Sequence, residues 1–197
     1  MIHYLSKNMA DFFCKNKIIR REEMEVFIYG FELMISTVFS IAGVFLIGAF
    51  MGAIPESIVF LTIMIMVRLY SGGYHANTYL KCNLIFFAAF FSITIIYMQF
   101  ITVLFLYFTL PLGLLSVFII MLFSPIENKN KPIKEANKRK YKIISSLFAA
   151  VFFLISFFLW IFQNKLSLFI ALTLVAVAIL MVVEIIKKKR GVYTNEG

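Results

Sequence analysis

The sequence has little of what a soluble or secreted domain needs. Only 15% of its 197 residues are charged, and it contains two cysteines, Cys14 and Cys82. Two cysteines cannot build the dense disulfide framework of a small secreted domain. A P-loop and a glycine-rich dinucleotide fingerprint are also missing from the sequence, so it predicts neither a nucleotide nor a metal as cofactor.

Apolar residues take the place of the missing charges. They make up 62% of the chain, and the mean hydropathy is +0.93. Ordinary soluble domains are about half apolar, and a chain of this size cannot hide the surplus in its own core. The surplus must face lipid, which excludes disordered, fibrous and ordinary soluble proteins. The composition therefore predicts an integral membrane protein with one compact domain.

Six hydrophobic stretches predict an all-α, polytopic fold with six transmembrane helices. Most contain about 20 residues, enough to cross a hydrocarbon core of about 30 Å. The 41 residues from 83 to 123 carry no charge and are too many for one helix, so a tight turn is expected near 99–102. The stretches are Tyr29–Phe50, Pro55–Val67, Asn83–Ile101, Val103–Phe123, Ile143–Phe162 and Leu166–Ile186.

The basic residues predict the orientation of these helices. With six helices, 18 of the 19 lysines and arginines fall on one side of the membrane, and only Lys165 falls on the other. Five or seven helices would scatter the basic residues over both sides. Since lysine and arginine accumulate in cytoplasmic segments, the crowded side is predicted to be the cytoplasm, with both termini inside. The outer segments are then very short, so chemistry is expected on the cytoplasmic side or within the membrane.

The first 28 residues differ from the rest of the chain. Apolar residues such as Ile2, Leu5 and Met9 recur there at helical spacing, between charged residues. The pattern predicts an amphipathic helix, which either lies in the inner membrane interface or packs against the other helices. The segment is too charged to be a cleavable signal peptide.

These patterns divide the chain into three parts. An N-terminal amphipathic segment covers 1–28, a six-helix transmembrane domain covers 29–186, and a basic cytoplasmic tail covers 187–197. Within the transmembrane domain, a candidate catalytic loop covers 68–82 and a basic cytoplasmic loop covers 124–142.

The loop between the second and third stretches contains residues able to do chemistry. It reads Arg68-Leu-Tyr-Ser-Gly-Gly-Tyr-His75-Ala-Asn-Thr-Tyr-Leu-Lys-Cys82. The consecutive glycines Gly72 and Gly73 permit positive φ angles and a close approach of another chain segment. They predict that the second helix ends or kinks there. On the glycines alone, a plain turn between two helices is the simpler interpretation.

The pair of His75 and Cys82 is typical of thiol catalysis. The thiolate is the nucleophilic form of cysteine, and a neighbouring imidazole can take its proton. The start of the third helix and the adjacent Lys81 favour a thiolate at Cys82. Residues seven apart on a straight helix are separated by about 10 Å along the axis, so a working pair requires a bend between them. The alternative is a structural histidine and a small packed cysteine.

The basic loop begins with Ser124-Pro-Ile-Glu-Asn-Lys-Asn-Lys-Pro-Ile133. Such a loop is either an anchor that only sets topology or a binding site for an acidic peptide or anionic lipid heads. Pro125 and Pro132 hold Lys129 and Lys131 in an ordered turn. This arrangement favours a specific role for these two lysines.

Three acids lie in or beside the predicted helices, at Glu32, Glu56 and Glu184. Ionisable groups inside a membrane are functional candidates by default. Glu56 and Glu184 are expected to be interfacial or paired, whereas Glu32 is close enough to the inner side to reach His75. Glu32 and Asn77 are the candidates for a third catalytic residue, and neither is favoured.

Two of these motifs resemble the signatures of one known family. Arg68, the run Gly-Gly-x-His-Ala at 72–76 and Cys82 are similar to the signature of the accessory gene regulator B (AgrB) family of bacterial membrane peptidases. The run from 124 to 132 resembles that family's second signature. The length, the six helices and the basic loop agree as well, so the resemblance covers essentially the whole chain.

The resemblance implies an activity. Such proteins process the AgrD-like precursor of a quorum-sensing peptide in the bacterial cell membrane. The family's catalytic histidine and cysteine fall on His75 and Cys82, so Cys82 would be the nucleophile that holds the peptide as a thioester. The precursor's own cysteine or serine would then close a thiolactone or lactone ring.

Other residues of the two motifs would support this chemistry. Arg68, Gly72 and Gly73 would hold the loop architecturally, and Lys129 and Lys131 would contact the acidic C-terminal part of the precursor. The expected partners are this peptide precursor and membrane lipids, without nucleic acid, and a homodimer is left open. Two functions of other classes remain as alternatives, a small transporter that uses the intramembrane acids and a non-catalytic membrane regulator.

Overall fold

The computed structural model is built almost entirely from helices. It describes residues 2–74, 78–127, 135–189 and 191, with the backbone alone at 101–106. In the described part, six α-helices and one 3-10 turn follow one another, and no β-strand is present apart from an isolated bridge. The helices are α1 Ile2–Lys15, α2 Met24–Met51, α3 Ile54–Ser71, α4 Tyr79–Phe123, α5 Glu135–Ile161 and α6 Leu166–Lys189, with the 3-10 turn at Arg21–Glu23.

The amphipathic helix predicted at the N-terminus is α1, and it packs against α2. The rings of Phe13 and Phe31 lie 5.4 Å apart between centroids, and His3 Nδ1 lies 2.6 Å from Glu32 Oε1. Other apolar side chains of α1, such as that of Phe12, remain exposed. The helix therefore contacts the bundle on one face and keeps apolar surface for a membrane interface on another.

A tight turn joins α2 to α3. Gly52 ends α2 with a φ of 69°, and its N–H donates to backbone carbonyls of the last turn of α2, as in many glycine-capped helices. Pro55 lies in the first turn of α3, where the missing N–H has no helical partner to lose. The helix continues to Ser71, beyond the predicted end at Val67. Arginine is a good helix former, so Arg68 does not end the helix, and the glycines that follow it do.

The long helix α4 contains the predicted turn between the third and fourth stretches. Phe100 has non-helical dihedral angles, with φ −114° and ψ 16°. Before it, Tyr97 contacts Phe169 of α6 with 5.3 Å between ring centroids. After it, Gly113 lies against Ala171, two residues further along α6. A straight helix would separate residues 97 and 113 by about 24 Å, so the chain reverses between them.

The predicted all-α, polytopic membrane fold is confirmed. Within the described residues, five helices are long and apolar enough to cross a membrane, and the second half of α4, Tyr107–Phe123, forms a shorter apolar helix. The most buried helix is α6, in which every residue from Ser167 to Leu174 is buried. It contacts α3, α4 and α5, so the other helices are arranged around it.

Candidate functional site

Two loops that are far apart in the chain meet at one end of the helix bundle. Ile126 N–H, in the loop after α4, donates to the Ser71 carbonyl at the end of α3 at 2.8 Å. Gly72 has a φ of 73°, and a Cβ atom added there would lie 2.2 Å from the Ile126 carbonyl oxygen. Both features predicted for the glycine pair, positive φ and close approach, are therefore present at Gly72. The described parts of the two sequence motifs therefore meet at this end of the bundle.

The loop that follows α3 continues from Gly72 to Tyr74, where it contacts α6. Tyr74 N–H donates to the Leu180 carbonyl at 3.2 Å, and Arg68 Nη2 donates to the Tyr74 carbonyl. Lys187 Nζ lies 5.2 Å from the centroid of the Tyr74 ring, which is a cation–π contact. The loop is thus attached to α3 through Arg68 and to α6 through Tyr74.

Cys82 lies in the first turn of α4. The Thr78 side chain caps this helix by accepting a hydrogen bond from Lys81 N–H at 3.3 Å, and Cys82 N–H donates to the Thr78 carbonyl at 3.1 Å. Because Thr78 provides an N-cap, α4 begins at Tyr79 and not near Asn83 as predicted. Cys82 therefore lies inside the first turn of the helix, at its positive end.

A buried polar cluster fixes the start of α4 against α2. Asn83 is buried, and its Oδ1 accepts hydrogen bonds from Ser36 at 3.1 Å and from Ser40 at 2.9 Å. A buried amide needs such partners because leaving it unpaired is costly. The cluster sets the rotation of α4 about its axis and so the direction in which the neighbouring Cys82 side chain points.

Three helices bring a thiol, a guanidinium and a carboxylate together. The Arg68 guanidinium of α3 interacts electrostatically with the Cys82 thiol of α4 and with the Glu184 carboxylate of α6. Glu184 is 0% exposed, and Arg68 and Cys82 are partly buried. Charges interact more strongly in such surroundings than in water. The structure thus adds an electrostatic interaction with Cys82 to the architectural role predicted for Arg68.

The three acids of the predicted helices have different neighbours. Glu184, expected to be interfacial or paired, is buried, and its carboxylate interacts electrostatically with Arg68. Glu32 bonds to His3 and also interacts with Tyr79 at the start of α4. The remaining acid, Glu56, lies in the first turn of α3 and interacts with Tyr97. The acids are therefore separate and do not line one path, as a transporter would require.

Four of the predicted functional residues lie outside the described residues. They are His75, Asn77, Lys129 and Lys131, so the roles given to them by the sequence stay predictions. In the part of the chain that the structure describes, no three His, Cys, Asp or Glu side chains lie together as metal ligands.

Fold and site together define a class: a polytopic α-helical membrane protein in which a cysteine lies in the first turn of a helix, directly after a loop that meets a second sequence motif at one end of the bundle. The chain matches the family model of accessory gene regulator B (AgrB) over residues 6–183. It belongs to that family, as the two sequence motifs predicted. Membership supports a role in the processing of agr quorum-sensing peptides.

The relatives agree with this assignment. A protein of Clostridium perfringens (strain SM101 / Type A) that is described as AgrB-like is 31% identical over 147 residues, covering 71% of this chain and 68% of the relative. An AgrB-like protein of Clostridium beijerinckii is 27% identical over 186 residues, covering 92% and 90%. A second one, of Clostridium perfringens (strain 13 / Type A), is 30% identical over 149 residues, covering 71% and 68%. No solved structure matches the chain.

Proposed function

We propose that the chain is a cysteine endopeptidase that cuts the C-terminal part from an AgrD-like quorum-sensing precursor and promotes ring closure of the remaining peptide. The observation that carries the proposal is the position of Cys82: it lies in the first turn of α4, directly after the loop that meets the second motif at Ser71 and Ile126. This position singles out one of the two cysteines of the chain for chemistry.

The surroundings of Cys82 suit a sulfur that carries negative charge while it reacts. A neighbouring guanidinium and the positive end of a helix both stabilise negative charge on sulfur. Partial burial strengthens these interactions, because less water screens them. His75, which the family resemblance assigns as the general base, follows directly after Tyr74 in the sequence, and the Tyr74 carbonyl accepts a hydrogen bond from Arg68.

The reaction we propose has two stages. In the first, the Cys82 thiolate attacks the carbonyl carbon of the scissile peptide bond, the C–N bond breaks, and the leaving amine takes the proton that His75 removed from the thiol. The N-terminal part of the precursor is then a thioester on Cys82. In the second, the precursor's own thiol or hydroxyl attacks the thioester and releases Cys82, which closes the ring without an oxidant or a metal ion.

The precursor would approach this site from the cytoplasmic side of the bacterial cell membrane. Basic side chains at the site end include Lys187 beside Tyr74 and Lys138, which lies 2.8 Å from Glu127. Together with the predicted contacts of Lys129 and Lys131, they suit a peptide with an acidic C-terminal part.

The two cysteines offer a matched test. An AgrD-type precursor is co-expressed with the native chain, with Cys82→Ala and with Cys14→Ala, and cleavage is followed by mass spectrometry while each variant is quantified in the membrane fraction. We expect no cleavage with Cys82→Ala and near-native cleavage with Cys14→Ala. Cleavage by Cys82→Ala would exclude the proposed nucleophile.

A second experiment tests the acyl-enzyme. A precursor whose ring-closing cysteine is changed to alanine should still be cut, since the first stage does not need that cysteine. Its N-terminal part should then stay attached to Cys82 as a hydroxylamine-sensitive thioester, or leave slowly as a linear acid. Cleavage under rapid quenching without any trace of the adduct would show direct hydrolysis instead.

A further inference from the structure

We propose that α1 is an interfacial helix: it lies along the membrane surface at the site end of the bundle and binds the headgroups of anionic lipids there. This inference goes beyond the proposed peptidase function and does not depend on it. Two features of the described residues support it, the direction in which α1 crosses α2 and the distribution of the α1 side chains over three faces.

Both ends of α1 contact the same level of α2. His3 Nδ1 lies 2.6 Å from Glu32 Oε1, and the rings of Phe13 and Phe31 lie 5.4 Å apart between centroids. His3 and Phe13 are about 15 Å apart along the axis of α1, whereas Glu32 and Phe31 are only about 1.5 Å apart along α2. Parallel or antiparallel helices would show similar separations on both helices, so α1 crosses α2 at a steep angle. Since α2 is long and apolar enough to span a membrane, and such helices tilt on average about 20° from the membrane normal, α1 lies close to the membrane plane.

The side chains of α1 divide into three faces. The face towards α2 contains the buried residues Ser6 and Ala10. With a rotation of about 100° for each residue, Leu5 and Phe12 lie on one side of this face, and Lys7 lies on the other. Leu5 is 46% exposed and Phe12 is 62% exposed, so an apolar edge and a basic edge flank the contact with the bundle. A helix at a membrane interface needs this arrangement, because one edge enters the acyl-chain boundary while the other meets headgroups and water.

The charge of this segment favours anionic lipids over neutral ones. Residues 2–21 contain five basic residues and one acid. Both Lys7 and Lys15 of α1 are exposed, and Lys15 lies on the face turned away from the bundle. Each basic residue close to an anionic membrane surface strengthens binding roughly fivefold. Two lysines on the surface of α1 are therefore enough to select anionic headgroups.

The level at which α1 crosses α2 is close to the level of the candidate site. Glu32, the partner of His3, precedes Ser36 by four residues, and Ser36 donates to Asn83 next to Cys82. The crossing point is therefore about 6 Å along α2 from the point that holds the start of α4. Anionic lipids bound by α1 are thereby collected at the end of the bundle that contains Cys82.

The first experiment locates the two edges of α1. The full chain, with Cys14 and Cys82 changed to serine, receives one new cysteine as Leu5→Cys or Lys7→Cys, is labelled there with a fluorophore and is reconstituted into vesicles. Both positions are exposed, so neither change removes a buried contact. We expect phospholipids brominated in their acyl chains to quench the label at Leu5→Cys strongly and at Lys7→Cys weakly, with the reverse order for iodide in the water. Equal quenching of the two labels by either reagent would overturn the interfacial orientation.

The second experiment measures the choice of lipid. The label at Leu5→Cys is quenched in mixed vesicles in which either phosphatidylglycerol, which is anionic, or phosphatidylcholine, which is neutral, carries the bromine. The ratio of the two quenching efficiencies gives the preference of the site for the anionic lipid. We expect Lys7→Gln combined with Lys15→Gln to lower this preference by roughly fivefold or more. Lys165→Gln is the matched control, because the exposed Lys165 lies between α5 and α6 at the opposite end of the bundle. An unchanged preference in the double variant, or an equal loss in the control, would overturn the selection of anionic lipids by α1.

A second copy of the chain is the other occupant that the test distinguishes. If two copies covered the apolar edge of each other, Phe12→Cys in the same serine background would form disulfide-linked dimers in the vesicles, and the label at Leu5→Cys would escape quenching by brominated lipid. That result would overturn the proposal. Failure of the peptidase proposal is distinguishable, because these measurements follow fluorescence and cross-linking and do not require cleavage of a precursor.

Discussion

The two ends of the helix bundle differ in the polar groups that they contain. At the end opposite the site, backbone and small polar groups suffice: Gly52 caps α2 in a left-handed conformation, and Asn164 Oδ1 accepts from Leu166 N–H at 3.0 Å at the start of α6. At the site end, Arg68 and Glu184 are brought into the bundle. Burying charge is costly unless it is paired. The contrast indicates that the free-energy cost of burying charge is tolerated at the site end because the charges serve the chemistry there.

The first way to test the comparison is to ask on which side of the membrane each end lies. In a chain without its native cysteines, a cysteine at Asn164 should react with a membrane-impermeant thiol reagent in intact cells, and a cysteine at Asn130 should not. The reason is the distribution of 18 of 19 basic residues on one side of a six-helix topology. Labelling at Asn130 from outside would contradict the topology and the cytoplasmic location of the site.

The second prediction compares charged residues at the two ends of α3. Arg68→Ala should reduce precursor cleavage on the order of 100-fold or more, because it removes a positive charge that interacts with the reacting sulfur. Glu56→Gln, in the first turn of the same helix, should cut at close to the native rate. Initial rates with equal amounts of membrane-inserted protein measure the difference. Similar losses in both variants would mean that Arg68 acts on the fold as a whole.

The third prediction compares two glycines with positive φ. At Gly52 a Cβ atom would meet open space, so Gly52→Ala carries only the strain of a left-handed residue, about 1 kcal/mol. At Gly72 the φ of 73° comes with a Cβ position 2.2 Å from the Ile126 carbonyl oxygen. Gly72→Ala should therefore lower the free energy of unfolding by about 3 kcal/mol.

Thermal unfolding of the purified protein in detergent measures this difference between the glycines. Gly72→Ala should also reduce cleavage, since the two loops of the site separate, while Gly52→Ala should leave cleavage close to native. Equal unfolding temperatures for the two variants would show that the contact between Gly72 and Ile126 is not needed for stability.

The smallest expected effect concerns an exposed ion pair at the site end. Lys138, which donates to Glu127, holds the pKa of that carboxyl below its ordinary value. A depressed pKa in the folded state stabilises the fold above the ordinary pKa, and the contribution is lost as the pH falls through the folded value. Glu127→Gln should thus lower the unfolding temperature slightly at pH 7, with no difference from the native chain well below about pH 4. A difference that persists in acid would rule out the charge interaction as its cause.

Much of the fold was predictable because its signals are local or additive. The apolar stretches, the turn near Phe100 and the helix end at Gly72 follow from segment length and from glycine chemistry. The helix ends were less accurate, since α4 begins four residues before Asn83. Its start depends on the N-cap at Thr78, and a threonine followed by tyrosine carries a weak signal in a largely apolar sequence.

The candidate site was predictable in its members but not in its full composition. Arg68 and Cys82 could be chosen from residue type and from their resemblance to a family motif. Glu184 was recognised only as an acid expected to be interfacial or paired, because nothing in a single sequence links it to α3. The contact between Gly72 and Ile126 was missed for the same reason.

The sequence by itself determined that the protein lies in lipid, how many apolar helices it has and which reactive side chains it carries. These properties depend on composition, on segment length and on residue type, which need no knowledge of neighbours. Only the tertiary structure decided which groups meet: a thiol from α4, a guanidinium from α3 and a carboxylate from α6. Such contacts depend on how the helices pack and rotate around α6, and the polar hydrogen bonds of Asn83 help to set that rotation. Packing between distant segments leaves no pattern in the order of residues, so the charge around Cys82 becomes visible only in three dimensions.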